Sequence, residues 1–260
     1  MGASYDSYII CGTPRTGSTL LCDLLASTRS AGEPDSFFMH DVDPIWAERW
    51  GLPPREGKGT ADHSSAYLKA TIAAGRGQTK IFGLRLMWEN LPDLMTMLDQ
   101  VHPAMPSDKA RLQAAFGGVL YVHLSRHDKL SQAISMVKAE QTGLWHIAPD
   151  GSELERLGPS KEPEYDFVRI KAKLDELASY DAKWVSWFSE QKIEPLRITY
   201  ETLSERPDDA ILAICEELGV PKPSPGALAP GVAKLADAVS REWIARFRAD
   251  AAGRGVVQGL

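Results

Sequence analysis

Apolar positions along this chain fall into two kinds of run. Short, nearly continuous runs recur at Tyr8–Cys11, Lys80–Leu86, Val119–Leu124 and Leu196–Thr199. Each is strand-sized and lacks clean alternation, as expected of a strand whose sheet is covered on both faces. Between them lie longer segments with apolar residues at helical spacing. Ser18–Ser27 carries Leu20, Leu21, Leu24 and Leu25 on one face, and Ala61–Ala74, Pro92–Gln100, Ser107–Phe116 and Asp128–Thr142 follow. Glu164–Gln191 predicts a long helix, with Phe167, Ile170, Leu174, Leu177, Trp184, Val185 and Phe188 along it; Trp184 and Trp187 are assigned to packing. Asp208–Leu218 and Ser240–Ala252 complete the set. Boundary residues agree: Pro92 suits a first helical position, Asp128 an N-cap, and Gly219 a helix end.

Strands alternating with helices predict an α/β fold, a P-loop-like parallel sheet flanked by helices. Residues 1–260 read as one domain, with a Pro-rich linker at 221–230 leading to a helical tail. Ala31–Lys58 is irregular and carries Phe37, Phe38, Trp46 and Trp50. It is either a binding loop or a surface loop whose aromatics plug into the core. Gly143–Pro163 also reads as loop, and Tyr200 as the end of the last strand. In such sheets ligands bind beyond the carboxyl ends of the strands.

Composition narrows the class. The 260 residues carry a formal net charge of −6, which argues against general nucleic-acid binding. No apolar run is long enough for a transmembrane helix, and the first residues carry no secretory signal pattern. The three scattered cysteines, Cys11, Cys22 and Cys215, suggest neither a disulfide framework nor a zinc site. Cytoplasmic residence is the expectation.

Candidate chemistry begins after the first strand. Gly12-Thr-Pro-Arg-Thr-Gly-Ser-Thr19 nearly fits the phosphate-binding spacing GxxxxGK[ST], with a strand before it and a helix after. Amides at a helix N-terminus and the helix dipole collect an anion there. Ser18 occupies the lysine position, so Arg15 is the only cation in the loop, and no Walker B aspartate is evident. A donor with a shorter diphosphate-like anion and no obligatory metal fits better than a nucleoside triphosphate. No His/Cys/carboxylate spacing reads as a metal site.

Further blocks follow in order. They are Gly32-Glu-Pro-Asp-Ser-Phe-Phe38, Gly83-Leu-Arg-Leu-Met-Trp88, Arg126-His-Asp-Lys-Leu-Ser-Gln-Ala-Ile-Ser135, Tyr200-Glu-Thr-Leu203, and Glu242-Trp243 with Arg246. With the glycine loop they resemble the sulfotransferases that use 3′-phosphoadenosine-5′-phosphosulfate (PAPS), most closely the bacterial trehalose 2-sulfotransferase family. The chain departs from that pattern at Arg85, where lysine is expected, and between Met39 and Thr79.

The resemblance implies a reaction and a set of roles. A sulfuryl group would pass in line, without metal, from PAPS to a hydroxyl of a carbohydrate or glycolipid acceptor, leaving 3′-phosphoadenosine 5′-phosphate. Pro14, Arg15, Thr16, Gly17, Ser18 and Thr19 would hold the 5′-phosphosulfate, Arg15 also stabilising charge as the donor leaves. Arg126 with Ser131 or Ser135 would hold the 3′-phosphate, and Tyr200 would contact the adenine. Glu33 would be the general base, with His40 or His123 in reserve. Glu33, Phe37, Phe38, Arg85 and Trp88 would line the acceptor site. A homodimer is also implied. A P-loop kinase or other phosphotransferase and a non-catalytic binding module of the same fold stay open as alternatives.

Overall fold

The computed structural model describes residues 5–39, 44–52, 61–224, 228 and 237–255. Strand β1 (Ser7–Gly12) leads through the glycine loop into helix α1 (Ser18–Ser27). Helices α2 (Pro44–Arg49) and α3 (Ala61–Arg76) precede strand β2 (Phe82–Met87). A 3-10 turn at Trp88–Asn90, α4 (Leu91–Val101) and α5 (Asp108–Phe116) lead to β3 (Val119–Ser125) and α6 (Lys129–Thr142). Two short strands follow, β4 (Leu144–Ile147) and β5 (Glu153–Arg156), then the long α7 (Phe167–Glu190). The described chain closes with β6 (Leu196–Thr199), α8 (Tyr200–Glu205), α9 (Pro207–Leu218) and α10 (Ala238–Gly253).

Four strands form a parallel sheet in the order β2-β1-β3-β6. The expected α/β architecture is therefore present. From β1 the chain first adds β2 on one side and then β3 on the other. The loops after β1 and β3 therefore part at their carboxyl ends, opening the kind of crevice that α/β sheets use for ligands. Gly12 pairs with both Met87 and Leu124, so those ends are level.

Both faces of the sheet are covered, which explains the missing alternation. Ile9, Cys11, Leu84 and Leu86 pack with α4 and α7, including Leu94, Leu98, Trp184 and Phe188. Tyr8, Ile10, Val122 and Leu124 pack with α1 and α9, including Leu21, Leu25, Ile211 and Ile214. Full burial of such side chains stabilises by roughly 1.5–3 kcal/mol each. A third cluster docks Trp243, Phe247 and Ala251 of α10 on Leu130, Ile134 and Ile170 of α6 and α7. The C-terminal helix is thereby fixed beside the α6 face. Among the described residues no helix is long and apolar enough to cross a membrane.

Some segments differ from expectation. Gly143–Pro163 contains an antiparallel hairpin, β4 with β5. Ala31–Lys58 contains α2 and an isolated bridge from Asp35 to Leu84 of β2. Tyr200 opens α8 rather than ending β6, because Thr199 caps that helix by accepting from Thr202 N–H at 3.1 Å. Of the 221–230 stretch, only 221–224 and 228 lie within the described residues, and neither part forms a helix or strand.

Candidate active site

The glycine loop is held in place from beneath. Trp184 Nε1 of α7 donates to Gly12 O at 2.8 Å, and Thr16 Oγ1 donates to Thr13 O at 2.8 Å. Gln132 of α6 donates through Nε2 to Thr13 Oγ1 at 2.9 Å and to Pro14 O at 2.6 Å. Thr13 in turn donates to Asp181, which pairs with Lys129. The loop turns left-handed twice, at Arg15 (φ 65°) and Gly17 (φ 80°). Arg15 pays the usual steric cost of that region for a non-glycine residue. At Gly17 the requirement is also spatial, since a Cβ would lie 2.8 Å from the Tyr200 ring. Leu21 N–H bonds Gly17 O at 3.0 Å, so the amides before it start α1 without intrahelical partners.

Arg15 and Arg126 meet above this loop. Arg15 donates through Nε to Ser135 Oγ at 3.0 Å and through Nη1 to Trp145 O at 2.8 Å. Arg126 donates through Nη1 to Arg15 O at 3.2 Å and stacks its guanidinium 4.3 Å from the Tyr200 ring centroid. Its Nε is buried without a hydrogen-bond partner among the described residues. Burial, and then the charge of Arg126, lowers the Arg15 pKa to about 10. Burial likewise lowers that of Arg126. Two desolvated guanidiniums that repel one another are stabilised by an anion placed between them.

Arg85, at the carboxyl half of β2, forms the other wall. It donates to Ser36 Oγ at 2.7 Å, to Thr19 Oγ1 at 2.7 Å and to Asp35 Oδ1 at 3.3 Å. His146 on β4 sets Nε2 3.2 Å from Thr19 Oγ1 and 3.3 Å from Glu155 Oε2 on β5. Burial, then Arg15 and Arg85, lowers its pKa to about 4. Glu155, half exposed, does not offset these effects despite its closeness.

Arg15, Arg126, Tyr200, Arg85, His146 and Glu155 open onto one cleft of about 680 Å³. Of the residues expected at the site, Pro14, Arg15, Gly17, Ser18, Thr19, Arg85, Arg126, Ser131, Ser135 and Tyr200 line it. Thr16 is buried in the loop beneath. A second depression, of about 510 Å³ beside Tyr165, Arg246 and Arg254, holds no residue of the glycine loop.

Other expected residues lie elsewhere. Glu33 is outside the cleft lining: its N–H bonds Gly75 O at 2.8 Å and its carboxylate rests against Gly77, at the entry to β2. Gly32 before it is needed for close approach, since a Cβ would meet Ile81 O at 2.5 Å. The segment then runs alongside β2, so that Ser36, not Glu33, reaches the cleft. Phe37 and Phe38 are core residues, each 2% exposed. Trp88 sits edge-on to Trp184, with centroids 5.1 Å apart, and does not line the cleft. Tyr200 presents its ring to Arg126 and Gly17. His123 is buried against Phe188, with Nδ1 3.3 Å from Arg197 Nη1. His40 lies outside the described residues. The residues that sequence reasoning passed over are Ser36, His146, Glu155 and the supports Gln132 and Asp181. Strands of only four residues hid His146 and Glu155, whereas the supports come from helices distant in sequence.

Comparison with known proteins identifies relatives along nearly the whole chain. A trehalose 2-sulfotransferase from Mycobacterium tuberculosis (strain ATCC 35801 / TMC 107 / Erdman) is 29% identical over 285 residues, covering 98% of this chain and 99% of that protein. Another, from Mycolicibacterium smegmatis (strain ATCC 700084 / mc(2)155), is 28% identical over 268 residues, covering 96% and 97%. The solved sulfotransferase domain of the Synechococcus PCC 7002 olefin synthase aligns with a TM-score of 0.47 at 15% identity, over 95% of this chain and 89% of that one. The family model for the Stf0 sulphotransferases matches residues 7–250, from the first residue of β1 into α10. With nearly the whole described chain inside that match, this protein belongs to the Stf0 sulphotransferase family and is a sulfotransferase enzyme.

Proposed function

We propose that this sulfotransferase takes its sulfuryl group from PAPS and delivers it to a hydroxyl of a carbohydrate or glycolipid, with trehalose the first acceptor to try. One observation carries the donor half: two half-buried guanidiniums, Arg15 after β1 and Arg126 after β3, share a cleft. PAPS bears anions at both ends of one nucleoside, a 5′-phosphosulfate and a 3′-phosphate. The amides at the start of α1, which lack intrahelical partners, and the Arg15 guanidinium suit the first. Arg126, whose buried Nε lacks a partner among the described residues, suits the second as a planar donor, together with a serine of α6. Support for the acceptor half comes from the two mycobacterial relatives, which are named for trehalose. The family match leaves the phosphotransferase alternative without support.

In this reading Arg15 and the α1 amides orient the sulfuryl group and hold the charge that grows on the bridging oxygen as the donor leaves. Arg85 keeps Thr19 fixed on the acceptor side of the loop. The chain supplies positioning and charge stabilisation rather than a covalent intermediate.

The test is transfer of radiolabelled sulfate from PAPS, scored on trehalose and on a bacterial metabolite extract, with calorimetry of the nucleotide product. The expected result is labelled acceptor and binding of 3′-phosphoadenosine 5′-phosphate at least about tenfold tighter than ATP, the worth of one charged hydrogen bond. Equal affinity for the two nucleotides overturns the donor assignment. Tight product binding without label in either pool overturns the acceptor assignment.

A further inference from the structure

We infer that His146 is the general base that takes the acceptor's proton, and that Glu155 stabilises the imidazolium so formed. This deepens the sulfotransferase reading of the cleft and rests on it. A sugar hydroxyl is a weak nucleophile until its proton is removed in the transition state, so the cleft needs a basic atom facing the donor loop. Glu33, His123, Phe37 and Phe38 do not line the cleft. The carboxylate of Asp35 is engaged by Ser36 N–H at 2.7 Å and by Arg85.

His146 has the right address. Its Nε2 is 3.2 Å from Thr19 Oγ1, a hydroxyl on the first turn of α1. Arg85 Nη1 donates to that same oxygen at 2.7 Å, so the hydroxyl's own proton is free to point at Nε2. With the Thr19 proton directed at Nε2, the ring carries its own proton on Nδ1, the tautomer a base acting through Nε2 requires. Glu155 Oε2 lies 3.3 Å from the same bare nitrogen. Lone pairs face one another there while Nε2 is bare, and the contact becomes an ion pair once Nε2 is protonated. An interaction that strengthens as the proton moves is the kind that accelerates a step. Arg15 anchors the strand by donating to Trp145 O at 2.8 Å, so one guanidinium serves the loop and fixes the residue beside the base.

The step balances. As the acceptor oxygen bonds to sulfur, its proton passes to His146 Nε2. The bond from sulfur to the bridging oxygen breaks, and its electron pair leaves on the 5′-phosphate. The charged and polar groups facing the imidazole are Thr19 from α1, Arg15 from the loop, Arg85 from β2 and Glu155 from β5. Burial, and then Arg15 and Arg85, keeps the free ring neutral down to about pH 4. A donor anion beside Arg15 offsets that repulsion and raises the ring's proton affinity when the base is needed. A base works unprotonated, so activity falls as pH drops through its pKa. The acid limb of kcat/KM, which reports the free enzyme, belongs near pH 4, and the limb of kcat belongs at higher pH.

The experiment compares native chain, His146→Gln and Glu89→Gln; Glu89 is a carboxylate of the same cleft. Each is assayed for label transfer from PAPS to trehalose and to the metabolite extract, for pH profile, and for binding of 3′-phosphoadenosine 5′-phosphate. Expected is a loss of about 100-fold or more in kcat for His146→Gln, with product affinity within threefold and the acid limb abolished. His146→Gln with kcat within threefold of native overturns the proposal, as does a retained acid limb. A loss of that size in Glu89→Gln alone transfers the role to that carboxyl. A native chain that binds no 3′-phosphoadenosine 5′-phosphate overturns the donor reading beneath, an outcome separate from the base.

Discussion

Ser131 and Ser135 stand one turn apart on α6 and both line the cleft, yet their hydroxyls are committed differently. Ser131 donates to the N-cap carboxylate of Asp128 at 2.6 Å. Ser135 accepts from Arg15, and its own proton donates to no group among the described residues. Ser135 can therefore meet a phosphate oxygen without breaking a bond, whereas Ser131 must give one up. Ser135→Ala is expected to weaken 3′-phosphoadenosine 5′-phosphate binding by about tenfold, and Ser131→Ala by less than threefold. Calorimetry decides, and the reverse order assigns the 3′-phosphate to Ser131. The sequence narrowed the choice to these two serines but not to one, since helical spacing puts both on one face. Arg15 and Arg126 were legible because a phosphate loop and a strand end fix their neighbourhood. The position of Glu33 outside the cleft lining was not, because it depends on the segment's alignment with β2, a contact absent from any local pattern.

At the scale of elements, α7 supports the loop it never joins in sequence. Trp184 is fully buried, and its indole N–H is the donor to Gly12 O. Trp184→Phe keeps most of the apolar contact but leaves a buried carbonyl unsatisfied, which costs about 1–3 kcal/mol. A lower urea midpoint with weaker nucleotide binding is expected, because Gly12 begins the phosphate loop. If both quantities match the native chain, the indole bond is not what holds the loop. The helical period of α7 was plain in the sequence, and so was its packing role. The β4–β5 hairpin was not, because each strand is four residues long, none of its residues is buried, and the ladder has register shifts. Its place over the cleft comes from Arg15 gripping Trp145 O, a contact across 130 residues. Helix α2 was hidden for a similar reason. Six residues carry little helical signal, and the Trp46–Trp50 stack that steadies them was read as loop aromatics.

For the whole molecule, alternation of strand and helix was enough to give the parallel sheet, because buried strands and amphipathic helices differ in local pattern. Strand order was not legible, since the choice of neighbour for β1 is made by packing between distant segments. That order has an energetic consequence. The cleft draws its walls from the loop after β1, from β2, α6, the hairpin, the start of α8, and α10. A ligand held there ties together segments from Pro14 to Ile244 and binds only when they are assembled. The formal net charge of −6 opposes an incoming anion at long range, so affinity must come from the local guanidiniums. 3′-Phosphoadenosine 5′-phosphate at about 100 times its Kd should add about 2.7 kcal/mol to the apparent stability. For a chain of this size that raises the unfolding midpoint by roughly 5–10 °C. Arg126→Gln should lose most of that shift while leaving the unliganded midpoint nearly unchanged, because the replaced group is a desolvated cation with an unpaired Nε. A full shift in Arg126→Gln would mean that the nucleotide lies elsewhere, and the cleft between the tips of β1 and β3 would lose its claim as the donor site.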